Sequence, residues 1–463
     1  MTNASILYVI PPVGGPPPEF ALPRLRRHGD VHALLVAPPS PALTPMLDEW
    51  CTSVRYGSLD AMPYCVVDAA RDVAADAIVA FSEFAIVAVA KASEVLGLRG
   101  PGPNVVRSRD KVEMRATWRQ HGLSGPAYVA VRSLEDLQRA ARELPRPFLL
   151  KPTWLACSQG QVIVDRDTDL ATAWRIAAIA VEDMERVNLC EFMPIGRGPQ
   201  FIAEEIIQSS TESWYDDDGY ADYVSVEGIV CNGRYHPVCI TARLPTIPPF
   251  VESSFHVPTV LSVDKQRIIE AEVRRAIDAL GLEDCGTHTE LKLQRDGRLC
   301  LLENAARLGG AMIPRLVHEA FGVDLLEMLV CTLLDKDAEL PHSMLTSSGA
   351  SRAVASLMLL ATDSRGKPWS TLPDFRPDEL DWRSLTSVGT QVELIRTQSR
   401  PNGAPMPAFS PTAGTRNYAG TLLLRAPDPH TLRHDCYRIL DGLESALNHV
   451  EIRRHQTAVP RSG

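Results

Sequence analysis

The sequence lacks several features that define whole classes of proteins. Its ten cysteines are never closer together than eight residues, which excludes a CxxC metal or redox motif. We interpret them as free thiols and expect a reducing compartment, the cytoplasm. The most apolar stretch, 77–90, is interrupted by Ser82 and Glu83, and no basic segment precedes the strand-like Ile6–Ile10. The sequence therefore predicts neither a signal peptide nor a membrane span.

An excess of positive charge is also missing. The chain has 57 acidic and 47 basic residues and a net charge of −10, so no broad basic field attracts nucleic acid or an anionic membrane surface. Its 463 residues are 45% hydrophobic and 22% charged, as in globular proteins. We expect two to four domains and a small-molecule partner, with no nucleic acid and no membrane.

Lysine is scarce, because only seven of the 47 basic residues are lysines. Arginine and lysine differ where a compact ammonium must lie beside a phosphate. Each lysine is therefore worth inspecting, and Lys111 and Lys151 stand at the start of a predicted helix and at the end of a predicted strand.

The pattern of strands and helices predicts a mixed α/β (α+β) protein. The first segment, 1–105, alternates strands with helices and ends in a Gly-Pro-rich stretch, which predicts a domain boundary near residue 105. The stretch Val187–Phe192 is predicted to be a strand, and the polar stretch Ser209–Tyr220 an exposed insertion.

One hairpin carries most of the chemical information. Asp296-Gly297 predicts a two-residue turn, and this register places Glu290 directly opposite Glu303. The other face would then set Leu291 and Leu293 opposite Leu302 and Cys300. Opposed carboxylates repel unless a cation lies between them, and their hard oxygens suit Mg²⁺ that bridges to phosphates. Two solvated surface glutamates would give the same pattern.

A guanidinium and a flexible loop follow the second carboxylate. Arg307 stands four residues after Glu303, and Gly309-Gly310 allows close approach of backbone to a ligand. An arginine here can neutralise a phosphoryl group in transfer or hold a carboxylate. An ordinary surface arginine and loop are the alternative.

Together these segments resemble the ATP-grasp superfamily, in particular its carboxylate–amine ligase branch that includes L-amino-acid (dipeptide) ligases. The resemblance covers most of the chain and depends on the order of the following segments: Glu83 with the helix to Gly100, Asp110–Arg115, Phe148–Pro152, Glu204–Ile207, Val224–Gly228, His288 with Glu290, and Glu303 with Arg307 and Gly309-Gly310. It implies an ATP-grasp fold with an N-terminal Rossmann-like α/β domain (pre-ATP-grasp) at 1–105. Subdomains at 106–204 and 205–335 would carry the phosphate lid and the Mg²⁺ site, and a C-terminal α+β domain at 336–463 would complete the cleft.

The resemblance also implies a nucleotide site. Lys111 and Lys151 would reach the ATP phosphates, and Ser158 and Gly160 would lie in the phosphate lid, which has one glycine where the family usually has several. The hinge Glu204, Glu205, Ile206 and Ile207 would read adenine through its backbone. Glu205 and Asp222 are the candidates for a carboxylate near the ribose. Glu290 and Glu303 would bind Mg²⁺, which Mn²⁺ can replace. Ala305 stands where the widespread family motif has asparagine, and Asn304 is expected to point to the opposite face.

On the substrate side, Glu252 and His256 resemble a Glu and a His that line the amino-acid pocket, although their spacing is one residue longer here. His288 is a further pocket candidate or a structural histidine. Arg307 would stabilise phosphoryl transfer and the tetrahedral oxyanion, with Gly310 beside it. The implied reaction is ATP-dependent amide formation through an acyl phosphate. Many relatives are dimers, so a homodimer is compatible with the resemblance. Another ATP-grasp chemistry such as a carboxylase or purine-pathway ligase, a nucleotide-binding protein without turnover, and a scaffold role remain alternatives.

Overall fold

The computed structural model of the protein describes residues 3–12, 14–58, 61–155, 160–186, 200–411 and 413–458. The predicted strand Val187–Phe192 therefore lies outside the described residues. The eight cysteines in the described part of the chain are free thiols. No helix in these ranges is both long enough and apolar enough to cross a bilayer.

The first sheet is parallel, with strand order β3-β2-β1-β4. Its elements are β1 (Ala4–Ile10), α1 (Pro18–Arg26), β2 (Gly29–Leu35), α2 (Thr44–Trp50), β3 (Ser53–Tyr56), α3 (Tyr64–Asp72), β4 (Ala77–Val79) and α4 (Ile86–Leu96). The order reverses between β1 and β4, which is where open α/β sheets form a crevice at their carboxyl ends. Gly14 lies there with φ +96°, and a Cβ at this position would be 2.8 Å from the Ser82 hydroxyl.

The second sheet is antiparallel, with order β5-β8-β6-β7. Its elements are α5 (Val106–Arg109), α6 (Lys111–Gln120), β5 (Tyr128–Val131), α7 (Leu134–Glu143), β6 (Phe148–Pro152), β7 (Val162–Val164), α8 (Leu170–Arg186) and β8 (Phe201–Glu205). Helix α6 begins after Asp110, whose carboxylate accepts hydrogen bonds from the amides of Val112 and Glu113. Phe148 and Leu150 pack into a core with residues of α7 and α8, so alternation places Lys151 on the opposite face.

The third sheet is antiparallel too, with order β10-β9-β12-β13. Its elements are β9 (Tyr223–Cys231), β10 (Arg234–Thr241), α9 (Val263–Leu280), β12 (Cys285–Leu293) and β13 (Leu299–Ala305). The sheet begins with the hairpin β9–β10, whose turn residues Asn232 and Gly233 have φ values of 52° and 71°. This is the left-handed turn expected of Asn-Gly.

The register of the hairpin β12–β13 was predicted correctly at the carboxylates but wrongly near the turn. Glu290 pairs with Glu303, as expected, whereas Leu291 pairs with Leu301 and Leu293 with Leu299. The turn closes with the Gln294 amide bonded to the Arg298 carbonyl, so its loop has three residues and not two. A β-bulge between Glu290 and Leu291 shifts the register by one, and the two deviations cancel at Glu290.

The last sheet has the order β11-β14-β18-β16. The remaining elements are β11 (Ser254–Val257), α10 (Ile313–Phe321), α11 (Leu325–Leu333), β14 (Ala353–Leu359), β15 (Asp374–Phe375), β16 (Gln391–Leu394), β17 (Ala404–Pro405), β18 (Gly420–Ala426) and α12 (Pro429–Ala458). Strand β11 crosses the predicted boundary at 335, since it lies in 205–335 but pairs with β14. The neighbouring hydrophobic core includes residues of the first and last sheets.

The predicted exposed insertion at Ser209–Tyr220 is wrong for its aromatic residues. Trp214, Tyr215 and Tyr220 are buried in the same hydrophobic core as the third sheet. The acidic run Asp216–Asp218 is exposed, and its charge suggested exposure of the whole segment. Apolar burial of three large rings outweighs the cost of ordering this loop.

Candidate functional site

A polar face of the third sheet forms the centre of the candidate site. Side chains alternate along a strand, so every second residue of β9 and β12 points to the same face. This face contains three cross-strand pairs of directly opposed residues: Tyr223 with Lys292, Ser225 with Glu290, and Glu227 with His288. The sequence therefore concentrates charge on one side of a sheet whose other side is apolar.

Glu290 and Glu303 stand opposite each other at the edge of this face. The side chains are 19% and 33% exposed, so both carboxylates are accessible from solvent. Glu290 Oε1 accepts from Arg243 Nη2 at 3.0 Å and lies 3.3 Å from His288 Nε2. Burial raises the pKa of Glu290, but the His288 hydrogen bond and the Arg243 charge outweigh it and lower the pKa to about 2.

His288 connects Glu290 to a deeper carboxylate. Its Nδ1 lies 2.8 Å from Oε1 of Glu227, a fully buried residue that also accepts from the hydroxyls of Ser225 and Thr241. Burial lowers the pKa of His288, but the carboxylates of Glu227 and Glu290 outweigh this effect and raise the pKa to about 9. His288 thus bridges Glu227 and Glu290 in the sheet, beside the metal-binding candidates. This position fits a structural histidine.

Arg243 follows β10 and was not predicted from the sequence. Its Nε donates to Glu252 Oε1 at 2.9 Å, and its Nη1 donates to Ser225 Oγ at 3.0 Å. Tyr223 donates its hydroxyl to the same Glu252 oxygen at 2.8 Å. Arg243 thus joins the predicted substrate carboxylate Glu252 to the predicted metal carboxylate Glu290.

Lys111 approaches the metal candidates from the start of α6. Its Nζ donates to Glu303 Oε1 at 2.9 Å and to the Leu155 carbonyl at 2.8 Å. The Asp110 carboxylate caps the helix and also accepts from the Trp154 indole at 2.9 Å. The structure thus holds a phosphate-binding candidate within reach of a metal-binding candidate.

Lys151 is paired inside the second sheet. Its ammonium forms an ion pair with Glu204, which also accepts from Arg115 Nε at 2.7 Å. Burial raises the pKa of Glu204, but the two cations outweigh it and lower the pKa to about 2. Arg115, one turn along α6 from Lys111, was not anticipated.

The predicted hinge begins at the end of β8. Glu205 Oε1 accepts from the Ala127 amide at 2.9 Å, so its carboxylate is already engaged by the protein. Ile206 and Ile207 are half-buried and continue without regular secondary structure. Their backbone groups are free of strand pairing, which fits a segment that reads a base through its backbone.

Asp222 lies next to this hinge, because the ends of the insertion meet. Ser209 donates its hydroxyl to one Asp222 oxygen, and Lys292 Nζ donates to the other at 2.7 Å. The insertion therefore does not displace Asp222 from the hinge. Lys292 is one of the seven lysines, and its alternation with His288 and Glu290 was the signal that could have identified it.

Arg307 is oriented by the first domain. Its Nε donates to Glu83 Oε2 at 2.9 Å, and its Nη1 donates to the Leu308 carbonyl at 2.9 Å. A Cβ at Gly309 would be 2.6 Å from Glu227 Oε2, whereas no atom lies within 4 Å of the corresponding position at Gly310. The glycine at 309 is thus required by the protein itself, and Gly310 faces open space.

The structure does not bring His256 into this cluster, contrary to the sequence-based prediction. Phe255 and its partner Ser356 share one face of the last sheet, where the Phe255 ring contacts Arg243 and Ser356 donates to the Ala311 carbonyl. His256 points to the other face. Burial there and the charge of Arg433 in α12 lower its pKa to about 3.

Two residues of the predicted site remain at the margin of the described structure. Ser158 of the phosphate lid lies outside the described residues. Gly160 is described with φ +68°, and a Cβ there would be 3.0 Å from Pro152 at the end of β6.

Asn304 is buried and donates to Ser108 at 2.9 Å, so it points away from the carboxylates as predicted.

Comparison with known proteins places this geometry in context. A family model described as an ATP-grasp domain matches residues 144–315. An alanine–anticapsin ligase of Bacillus subtilis is 36% identical over 319 residues, which cover 68% of this chain and 66% of the relative. The corresponding ligase of Bacillus amyloliquefaciens is 36% identical over 345 residues, covering 71% and 72%. The matched part thus spans about two thirds of the first ligase's length.

The overall fold also has solved counterparts. The crystal structure of an L-amino acid ligase from Bacillus licheniformis aligns with a TM-score of 0.71 and 22% identity, over 95% of this chain and 97% of that one. This similarity confirms the predicted ATP-grasp architecture.

Proposed function

The chain belongs to the ATP-grasp family, in its carboxylate–amine ligase branch, and we propose that it joins two amino acids, or an amino acid and a related acid, through an amide bond. ATP is converted to ADP and phosphate. The observation that supports this most strongly is the polar face of the third sheet, where Glu290, Glu303, Arg243 and Glu252 lie together. The similarity to alanine–anticapsin ligases indicates small amino acids as the substrates to test first.

The donor set at Glu290 and Glu303 fits Mg²⁺. Both groups are carboxylates on one edge, both are partly exposed, and Glu303 is paired with a lysine that a nucleotide phosphate can recruit. Mg²⁺ held there would offset the charge of the β- and γ-phosphates. Mn²⁺ fits the same oxygen donors.

The first chemical step is phosphoryl transfer to a carboxylate. A carboxylate oxygen of the acid substrate attacks the γ-phosphorus of ATP, the bond to the β-phosphate oxygen breaks, and ADP leaves. Lys111 and Lys151 would bind the phosphates, with Ile206, Ile207 and Asp222 around the adenosine. Arg307, held by Glu83, would face the group in transfer.

The second step forms the amide. The amine of the second substrate attacks the carbonyl carbon of the acyl phosphate, the C–O bond to phosphate breaks, and the amine loses a proton. Arg307 would stabilise the oxyanion, with Gly310 leaving room beside it. Water must be excluded because it hydrolyses the acyl phosphate, and the lid that includes Gly160 is the proposed gate.

The test is phosphate release from the purified protein with Mg-ATP and the twenty amino acids, offered singly and in pairs. We expect release that depends on a pair, and its loss in Glu303→Gln. Equal release without any amino acid would contradict the proposal, and ATP binding with no release would favour a nucleotide-binding protein without turnover.

A further inference from the structure

Arg243 is one of the fully buried cations among the described residues. Its side chain is 1% exposed. Its guanidinium carbon lies 4.8 Å from the Tyr223 ring centroid and 4.6 Å from that of Phe255. Two aromatic rings therefore hold the guanidinium by contacts that a lysine ammonium reproduces poorly.

The hydrogen bonds of Arg243 fix two carboxylates at once. Nε donates to Glu252 Oε1, Nη2 donates to Glu290 Oε1, and Nη1 donates to Ser225 Oγ. A planar guanidinium sets these directions rigidly. The position of Glu252 is thereby determined relative to that of Glu290.

Each carboxylate uses one oxygen for the protein. Glu252 Oε1 also accepts from the Tyr223 hydroxyl, and Glu290 Oε1 is also within reach of His288 Nε2. In the part of the chain that the structure describes, neither Oε2 atom has a hydrogen bond or ion pair. The side chains are 27% and 19% exposed, so both Oε2 atoms are accessible to ligands.

We propose that Arg243 is the positioning residue of the ligase site: it orients Glu252 towards the ammonium group of an amino-acid substrate and Glu290 towards the divalent cation, at a fixed separation. The statement about the substrate rests on the function proposed above. The statement about the cation does not, since it concerns metal binding alone. Arg243 itself touches neither ligand and acts through the two carboxylates.

Arg243→Lys tests the proposal because it keeps the positive charge. It loses the planar guanidinium that donates to two carboxylates, and it loses the stacking on Tyr223 and Phe255. A single ammonium cannot occupy the positions of Nε and Nη2 together. We expect the KM of the fastest-reacting amino acid and the Kd of Mn²⁺, measured by electron paramagnetic resonance with ADP present, each to rise roughly tenfold or more. The kcat should fall less than the KM rises.

Arg24→Lys is the matched control. Arg24 also stacks on an aromatic ring, 3.4 Å from the Phe20 centroid, and donates to a carboxylate, Asp324, at 2.6 Å. It lies in α1, and its partner Asp324 directly precedes α11, away from the cluster. This variant should lose similar stability, measured by thermal unfolding, with both binding constants within about twofold of wild type.

Tyr223→Phe distinguishes the effect on Glu252 from the effect on Glu290. It keeps the ring under Arg243 and removes only the hydroxyl donated to Glu252. We expect a severalfold higher amino-acid KM and an unchanged Mn²⁺ Kd.

The outcomes distinguish this proposal from the function. If the wild type releases no phosphate with any amino acid, the proposed function fails, and the Mn²⁺ comparison alone then decides whether Arg243 positions Glu290. If the wild type is active and Arg243→Lys leaves both constants unchanged, the proposal is overturned. A change in only one constant also overturns the shared positioning.

Discussion

The second and third sheets carry similar ion pairs with different access to water. In the second sheet, Lys151 and Glu204 are sealed together with Arg115, and their side chains are 6%, 3% and 2% exposed. In the third sheet, Lys111 pairs with Glu303, which is 33% exposed. A sealed pair exchanges partners only by leaving a charge buried, whereas an open pair exchanges with water, metal or phosphate at little cost.

The difference indicates separate roles for the two lysines. We propose that a metal nucleotide replaces the Lys111–Glu303 contact, because phosphate would then bind the lysine and the cation would bind the carboxylate. While Lys151 is paired with Glu204, it stabilises the second sheet. If Lys151 turns towards a phosphate, as proposed above, Arg115 remains as the cation that compensates the buried Glu204 carboxylate. The following variants test this contrast.

The largest effect is expected for Lys151→Met. This change leaves Glu204 buried with one cation, and breaking a buried pair costs about 3 kcal/mol of unfolding free energy. Lys111→Met is the control and should cost about 1 kcal/mol or less, because Glu303 can turn to water. Urea unfolding measures both. Equal losses of unfolding free energy in the two variants would show that the two ion pairs do not differ as described.

A second test compares the two histidines. His256 is buried and its pKa is lowered to about 3, whereas the pKa of His288 is raised to about 9. Below an unfolded pKa of about 6.5, the unfolded chain gains a proton that folded His256 does not. The stability linked to His256 is therefore present above pH 6.5 and lost as pH falls, by about 2 kcal/mol between pH 7.5 and 5.

The variant His256→Leu removes this linkage. Its unfolding free energy should fall less than that of the wild type over the same pH range, by the same ~2 kcal/mol. The amino-acid KM should stay within about twofold, because the ring lies on the far face of the last sheet. A large rise in the amino-acid KM would show that His256 contributes to the amino-acid pocket.

The smallest effect is expected for the partly exposed Lys111–Glu303 pair. Without nucleotide, the Lys111 ammonium competes with a cation for Glu303, so Lys111→Met should tighten Mn²⁺ binding by roughly tenfold. The same variant should weaken ADP binding, because a phosphate contact is lost. Electron paramagnetic resonance of free Mn²⁺ and calorimetry of ADP provide the two constants. Weaker Mn²⁺ binding in the variant would contradict the exchange.

Local sequence patterns predicted much of the fold and brought several residues of the candidate site to attention. The Asp-Gly turn located the hairpin, and the opposition of Glu290 and Glu303 is correct, although a three-residue loop and a bulge produced it together. Such a bulge adds one residue without a composition signal. The lysine count singled out Lys111 and Lys151 before any contact was visible.

The remaining features depend on long-range packing. Arg243 reaches Glu290 across 47 positions in the chain, and Arg115 reaches Glu204 across 89. No local pattern reports such pairs. Burial of Trp214 likewise follows from the core that the third sheet offers. The face on which His256 lies follows from the pairing of β11 with β14.

The central claim is that the chain activates an amino-acid carboxylate as an acyl phosphate. The most direct measurement uses an amino acid labelled with ¹⁸O in its carboxylate, together with Mg-ATP and the amine partner found by phosphate release. The account predicts that each released phosphate carries one ¹⁸O and that Glu303→Gln releases none. Phosphate without label, formed at the same rate, would mean that water attacks ATP directly and would contradict the account.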